Sequence, residues 1–382
     1  MDMADFAFDP ADALGSDWTQ ATYVGRFDLG EGPTPILVRD GRAYDMSRVA
    51  PTVAELVEGG SFDPAAGRDL GPLAEVGLVV TGDGPRLLSP IDLQCVKAAG
   101  VTFAVSALER VIEERARGDA EAAAGVRTRL EARIGGSIGS VIPGSAEAAA
   151  LKAALIEDDM WSQYLEVAIG PDAEVFTKAP CLSTVGWGAE IGIRSDSTWN
   201  NPEPEVVLLV DSRGSIVGAT LGNDVNLRDF EGRSALLLGK AKDNNASCSL
   251  HAFVRIFDHG FTLDDIRDAV VSLRIEGPEG YVLEGASSMR EISRDPVALV
   301  AQTMSQHQYP DGFVLFTGTM FAPTQDRDDP GRGFTHKVGD TVRIATPRLG
   351  YLINRVTTSA DAAPWTFGLS TLMRNLAKRG LL

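Results

Sequence analysis

Glu203-Pro204-Glu205-Val206-Val207-Leu208-Leu209-Val210, read together with Gly222-Asn223-Asp224, decides how this chain is interpreted. The apolar run Val206 to Val210 reads as a buried strand. Strand side chains alternate between faces, so Glu203 and Glu205 share one face and their carboxylates can converge on a point. Asp224 can return to that point from the end of a neighbouring strand. Three hard oxygen ligands with open positions suit Mg²⁺ or Mn²⁺ holding water and a small oxygenated substrate. In isolation the same residues also describe a solvated strand start and an Asn-Asp turn, and the surrounding sequence has to decide between the two readings.

The 382 residues leave room for two or three domains, one of them large enough for a sizeable core. Apolar residues make up 44% and charged residues 23%, as in ordinary soluble globular proteins. A formal net charge of −18 argues against nucleic-acid partners and anionic membranes, which require a basic face. It leaves open an anion pocket built on a bound cation. Cys95, Cys181 and Cys248 are too few and too scattered for a disulfide framework, and no C-x-x-C occurs. Reduced thiols in a cytoplasmic protein fit best. The acidic start Met1-Asp2-Met3-Ala4-Asp5 lacks the order of a signal peptide, and no apolar run approaches the length of a membrane span.

Residues 1–85 read as a small N-terminal α/β domain with strands at 22–27, 35–39 and 77–80 and a helix at 52–58. The turn Gly82-Asp83-Gly84-Pro85 marks its boundary with residues 86–382. In that second part the patterning predicts a strand at 96–103 and a helix at 104–117, with Val105, Leu108, Val111 and Ile112 on its apolar side. A helical insertion spans about 115–165, including a helix at 146–164. Beyond Val175, strand signals dominate: 206–210, 215–223, 249–257, 270–275, 313–317, 341–346 and 349–356. Helices fit 262–269, 295–306 and 370–379. The chain therefore reads as mixed α/β and β-rich, with a rolled-up sheet in place of a regular βαβ array. Gly135 to Gly139 follows a helix and carries no phosphate-loop lysine, and Asp326-Arg327-Asp328-Asp329 lacks Ca²⁺-loop spacing.

Several stretches, taken in order, resemble the fumarylacetoacetate hydrolase superfamily over roughly residues 90–358. They are Gly100 to Glu109, Val175 to Pro180, Glu203-Pro204-Glu205, Gly222 to Asp229, Leu238-Gly239-Lys240 with Asp243, Thr317-Gly318-Thr319, and Val338-Gly339-Asp340. The resemblance implies a β-roll-like catalytic domain that dimerises, often behind a small N-terminal domain. It makes Glu203, Glu205 and Asp224 the ligands of a divalent metal that polarises a 2-oxo acid. It also implies that Lys240 lies beside the metal and touches substrate oxygen, that Thr319 holds the substrate carboxylate, and that Lys178 is a structural or rim charge. Lys240 as the head of a solvated turn, and Thr319 as an ordinary turn residue, are the alternatives.

One departure narrows the chemistry. The family's hydrolases carry His three residues before Glu to activate water, whereas here Ser106 precedes Glu109. Serine cannot replace an imidazole base near neutral pH. The segment Ile191 to Glu205 resembles the sugar-acid dehydratase branch, with Arg194, Asp196 and Ser197 as candidates for binding substrate. Each also reads as part of a hydrogen-bonded loop before the strand. The resemblance thus implies Mg²⁺-dependent dehydration of a 2-keto-3-deoxy-pentonate to 2,5-dioxopentanoate by a homodimer or homotetramer, with Glu109 as the proton-transfer group. Rival readings are an acylpyruvate-type C–C hydrolase, an oxaloacetate decarboxylase, and a non-catalytic metal- or ligand-binding relative.

Overall fold

The computed structural model describes residues 6–105, 107, 108, 111, 112, 128, 138–320, 325–328 and 333–382. Among them, twelve strands join one sheet. Its main path runs Arg68–Pro72, Arg42–Asp45, Pro33–Arg39, Tyr23–Asp28, Phe253–Ile256, Ile216–Asp224, Pro204–Val210, Phe313–Phe316, Cys95–Gly100, Glu174–Ala179. Neighbours along this path are antiparallel except Phe313–Phe316 and Cys95–Gly100, which run parallel. A second sheet is ordered Val282–Ser288, Val270–Glu276, Thr341–Thr346, Gly350–Thr358, Glu190–Ile193. Neither path closes on itself, and the fold is mixed α/β with strands dominant.

The strand Pro204–Val210 is buried along its whole length. Val206, Leu208 and Val210 pack in the larger core with Leu273, Ile275, Ile344 and Leu352 of the second sheet. Val207 and Leu209 point the other way, into a cluster with Val24, Leu37, Val254, Phe316 and the helix Val53–Gly59. A strand covered on both faces needs an unbroken apolar run instead of alternation, which accounts for Val206 to Val210. Each such side chain contributes about 1.5–3 kcal/mol on burial. The site described below is anchored to this strand.

The N-terminal strands are continuous with the rest of the large sheet. Tyr23, Val24 and Gly25 pair with Arg255, Val254 and Phe253, and Asp92 accepts from Val53 and Ala54 at the start of the helix Val53–Gly59. The turn at 82–85 is present, but sheet and core run across the expected boundary.

Several expected elements are corrected. Gly77 to Val80 forms no strand, only an isolated pairing of Val79 with Arg86, because Gly77 takes a left-handed turn (φ +69). The expected helix at 146–164 is two helices, Ala146–Glu157 and Gln163–Ile169; Asp159 is left-handed (φ +55) and Ser162 caps the second. The expected strand at 249–257 is interrupted between Leu250 and Phe253. Leu108, Val111 and Ile112 form a satellite core with Ile138, Leu151, Leu155, Leu165 and Ile169. Part of the expected helical insertion, residues 115–127 and 129–137, lies outside the described residues. No helix among the described residues is long and apolar enough to cross a membrane.

Candidate metal centre

The antiparallel register between Pro204–Val210 and Ile216–Asp224 sets Pro204 opposite Asn223 and Glu205 opposite Gly222. One step further, the Asp224 N–H donates to the Glu203 carbonyl at 3.0 Å, and the Glu203 N–H donates to Asn223 Oδ1 at 3.0 Å. Glu203 and Glu205 share a strand face, and Asp224 stands across from Glu203 on the same face. A carboxylate oxygen from each of the three lies within 4.8 Å of the others, and all three residues are buried.

Two lysines compensate this charge. Lys178 is fully buried in the strand Glu174–Ala179, with Nζ 2.8 Å from Asp224 Oδ1 and 3.1 Å from the Val225 carbonyl. It is therefore no rim charge. Lys242 is 4% exposed, with Nζ 2.5 Å from Glu203 Oε2 and 3.2 Å from Asp224 Oδ2. Asn226 Nδ2 bridges Glu203 Oε1 (3.0 Å) and Glu231 Oε2 (2.7 Å), and the Gly318 N–H donates to Glu205 Oε2 at 2.6 Å.

These contacts split the three carboxyl groups. Burial raises the Glu203 pKa, Lys242 opposes it, and the net shift is upward. Burial, then Asp224 and Glu203, push Glu205 well above the usual carboxylate range. Burial acts upward on Asp224 too, but Lys178 and Lys242 outweigh it and hold that carboxyl down. Burial disfavours the Lys242 charge, yet Asp224 and Glu203 overcome it and raise its pKa. With all three carboxyls ionised, as cation binding requires, the five buried groups sum to one negative charge in excess: three carboxylates against two ammoniums. Hard oxygen donors with surplus negative charge in a dry setting fit a divalent cation.

The cavity is lined by Ala99, Gly100, Val101, Phe103, Glu174, Phe176, Glu203, Glu205, Asp224, Glu231, Lys242, Gly318 and Thr319 among others. Gly318 is left-handed (φ +90), and a Cβ there would sit 2.0 Å from Thr102 Oγ1, so only glycine turns its N–H toward Glu205 without displacing Thr102. Thr319 lies on the wall, as the Thr317-Gly318-Thr319 motif suggests.

Other expected site residues lie elsewhere. Lys240 is exposed and places Nζ 4.9 Å from the Phe230 ring centre, away from the carboxylates. The reason is helical geometry: in the short helix Leu238–Lys242, positions two apart point to nearly opposite sides, so Lys242 faces inward and Lys240 outward. Arg194 Nε donates to Asp196 Oδ1 at 2.8 Å, and Ser197 Oγ donates to Asp229 Oδ1 at 2.8 Å. These three satisfy one another and Asp229 within the loop, and none is among the residues lining the cavity. Ser106 and Glu109 lie outside the described residues. Lys242, Glu174, Glu231 and Asn226 were missed from sequence. Leu238, Ala241 and Lys242 recur at i, i+3 and i+4, a helical stripe that marks Lys242 as the inward lysine.

The chain is similar to known proteins in sequence and in fold. The chain is 35% identical over 205 residues to a "Probable 2-keto-3-deoxyxylonate dehydratase" of Haloferax volcanii, covering 53% of this chain and 66% of the relative. It is 31% identical over 186 residues to a "2-dehydro-3-deoxy-D-arabinonate dehydratase" of Saccharolobus solfataricus, covering 48% and 58%. The matched stretches thus span less than two thirds of these relatives. Among solved structures, "2-keto-3-deoxy-D-arabinonate dehydratase complexed with magnesium and 2,5-dioxopentanoate" superposes with a TM-score of 0.63 at 21% identity, covering 88% of this chain and 99% of that one. A fumarylacetoacetate hydrolase from psychrophilic Exiguobacterium antarcticum superposes with a TM-score of 0.56 at 16% identity, covering 88% and 100%. At these identities the structural likeness speaks for the fold alone. Residues 141–357 match the family model described as fumarylacetoacetate (FAA) hydrolase C-terminal, and the chain belongs to that family.

Proposed function

We propose that this protein is a Mg²⁺-dependent dehydratase that converts a 2-keto-3-deoxy-pentonate to 2,5-dioxopentanoate and water. The observation that carries the reading is the buried set Glu203, Glu205 and Asp224 with Lys178 and Lys242 at one end of a cavity. Its surplus of one negative charge becomes a surplus of one positive charge on binding a divalent cation, and a monoanionic 2-oxo acid then brings the five groups, cation and substrate to neutrality. The names of the two curated relatives and of the magnesium-bound structural neighbour support the same substrate class.

Glu203, Glu205 and Asp224 would hold the cation, with Mn²⁺ as an alternative to Mg²⁺, and it would supply Lewis-acid polarisation of the 2-oxo group. The protein's own residues do the rest. Lys242, kept protonated by Glu203 and Asp224, donates a hydrogen bond to substrate oxygen and cannot serve as the base. Lys178 holds Asp224 ionised and in place. Thr319 and the Gly318 turn position the substrate carboxylate. Glu174 and Glu231, half-buried carboxylates on the wall, take the C3 proton and return one to the departing C4 hydroxyl. They then move the hydrogens of the C5 carbinol to C3 and C4, which turns the resulting 3-ene into the C5 aldehyde. Glu109 stays a candidate for one of these transfers. Arg194, Asp196 and Ser197 shape the neighbouring loop, and Lys240 has no part in the chemistry. The enzyme acts in the cytoplasm as a homodimer or homotetramer, a state that sedimentation reads directly.

The test is incubation with Mg²⁺ and either 2-keto-3-deoxy-pentonate or an acylpyruvate. Formation of 2,5-dioxopentanoate, abolished by EDTA, supports the proposal. Pyruvate from the acylpyruvate, with no semialdehyde from the sugar acid, would make the protein a C–C hydrolase. No turnover with retained Mg²⁺ binding would make it a binding relative.

A further inference from the structure

Cys95 opens the strand Cys95–Gly100, and Cys181 stands two residues past the end of Glu174–Ala179. The two strands are antiparallel neighbours with Val96 opposite Ala179, which brings both cysteines to the same end of the pair. Both are free and half-buried. Their side chains interact with one another, and the Cys181 S–H donates to the Leu93 carbonyl at 3.1 Å. Cys248, the third cysteine, is 2% exposed inside a separate core cluster.

We propose that Cys95 and Cys181 form a reversible redox pair that closes to an intramolecular disulfide on exposure to a peroxide and reopens with a dithiol. The groups around Cys95 divide the roles. The neighbouring Cys181 lowers the Cys95 thiol pKa to about 6; burial opposes this, Lys97 and His307 assist, and Asp311 opposes. Cys181 is pushed up in turn and keeps its proton. Cys95 is thus the attacking thiolate and Cys181 the resolving thiol. In the first step the Cys95 thiolate attacks a peroxide oxygen, the O–O bond breaks, and a sulfenic acid forms with loss of hydroxide. In the second, Cys181 sulfur displaces the sulfenic oxygen as water and the S–S bond forms. The two thiols lose two electrons and two protons in total, and one hydrogen peroxide is reduced to two waters.

The link would bear on the metal centre through the backbone. The strand Cys95–Gly100 contributes Ala99 and Gly100 to the cavity wall, and Glu174–Ala179 contributes Glu174 and Phe176 and also carries the buried Lys178 that pairs with Asp224. A disulfide at the far end of this pair staples one side of the cavity. The inference goes beyond the proposed dehydration and does not depend on it, because its test reads sulfur.

The full-length protein is treated with a slight excess of hydrogen peroxide, and its thiols are counted before oxidation, after it, and after dithiothreitol. The expected result is loss of two of the three thiols, their full recovery on reduction, and a Cys95–Cys181 linked peptide in a non-reducing digest. In Cys181→Ser, Cys95 should be trapped as a dimedone-reactive sulfenic acid, and in Cys95→Ser neither remaining thiol should react at the wild-type rate. Retention of all three thiols, a linked peptide that contains Cys248, or a link between two chains would each overturn the proposal.

Discussion

The Asp224 N–H donates to the Glu203 carbonyl at 3.0 Å, and across that same backbone pair the two side chains share the Lys242 ammonium. Strand register and charge compensation are therefore one arrangement. A slip of one residue would turn Asp224 to the opposite face and leave Lys242 with half its partners.

The three carboxylates should respond differently to neutralisation. Asp224 is held ionised by two buried ammoniums, so Asp224→Asn leaves both under-compensated and costs about 3–5 kcal/mol of stability. Glu205 has its pKa raised by burial and its acidic neighbours, so the folded state binds its proton more tightly than the unfolded chain does. Its contribution to metal-free stability is therefore present at low pH and lost as pH rises through the elevated value. Glu205→Gln should hold or raise the metal-free urea midpoint at pH 7 while lowering Mg²⁺-dependent turnover by at least about 100-fold. Urea melts in EDTA, set beside turnover, check both; a large stability loss in Glu205→Gln would contradict the assignment.

The two lysines of Lys240-Ala241-Lys242 separate cleanly by substitution. Lys242→Met removes the ammonium between Glu203 and Asp224, and both stability and turnover should fall sharply, the former by about 3–5 kcal/mol. Lys240→Met loses an exposed contact with the Phe230 ring and a weak attraction to the exposed Asp196, and should leave turnover within about 2-fold and the urea midpoint unchanged. Equal losses in the two variants would show that the helix Leu238–Lys242 is turned otherwise.

Gly318 carries a backbone role that alanine cannot fill. The left-handed φ of +90 and the 2.0 Å approach of a Cβ to Thr102 Oγ1 predict a stability cost of about 1–3 kcal/mol for Gly318→Ala. The displaced N–H would also abandon Glu205, so Mg²⁺ affinity measured by calorimetry should weaken along with stability. Unchanged affinity would leave Gly318 a purely structural glycine.

His251 sets a pH dependence away from the metal centre. Its ring is 1% exposed, with Nε2 3.0 Å from the Ala13 carbonyl and Nδ1 3.3 Å from the Phe253 N–H. Burial lowers its pKa from 6.5 to about 4, and hydrogen bonds to backbone oppose that only in part. Above pH 6.5 the ring is neutral folded and unfolded and adds no slope. Between 6.5 and 4 only the unfolded chain takes up the proton, so stability falls by up to about 3 kcal/mol over that window. Urea midpoints at pH 7 and pH 5 should differ less in His251→Gln than in the parent, even if the variant is weaker at both. Identical differences would remove His251 as the source.

The sequence by itself was enough for the carboxylate triad and for the strand that bears it, because both rest on short-range periodicity. Val206 to Val210 is apolar without interruption, and Glu203 and Glu205 obey the two-residue repeat of a strand. The edge strand Val282–Ser288 escaped notice because Glu284, Gly285 and Ser287 dilute its pattern, and Ser106 and Glu109 fall outside the described residues. Tertiary structure alone decided which charges face the triad. Lys178 reaches Asp224 from a strand four places away along the sheet, and Lys242 reaches it from a helix whose outward side carries Lys240. It also decided that the strands between Tyr23 and Pro72 extend the same sheet through the pairing of Tyr23 with Arg255. Local pattern tells whether a residue lies on a buried face, but what stands opposite it depends on strand order and register, which are set by packing of the whole chain.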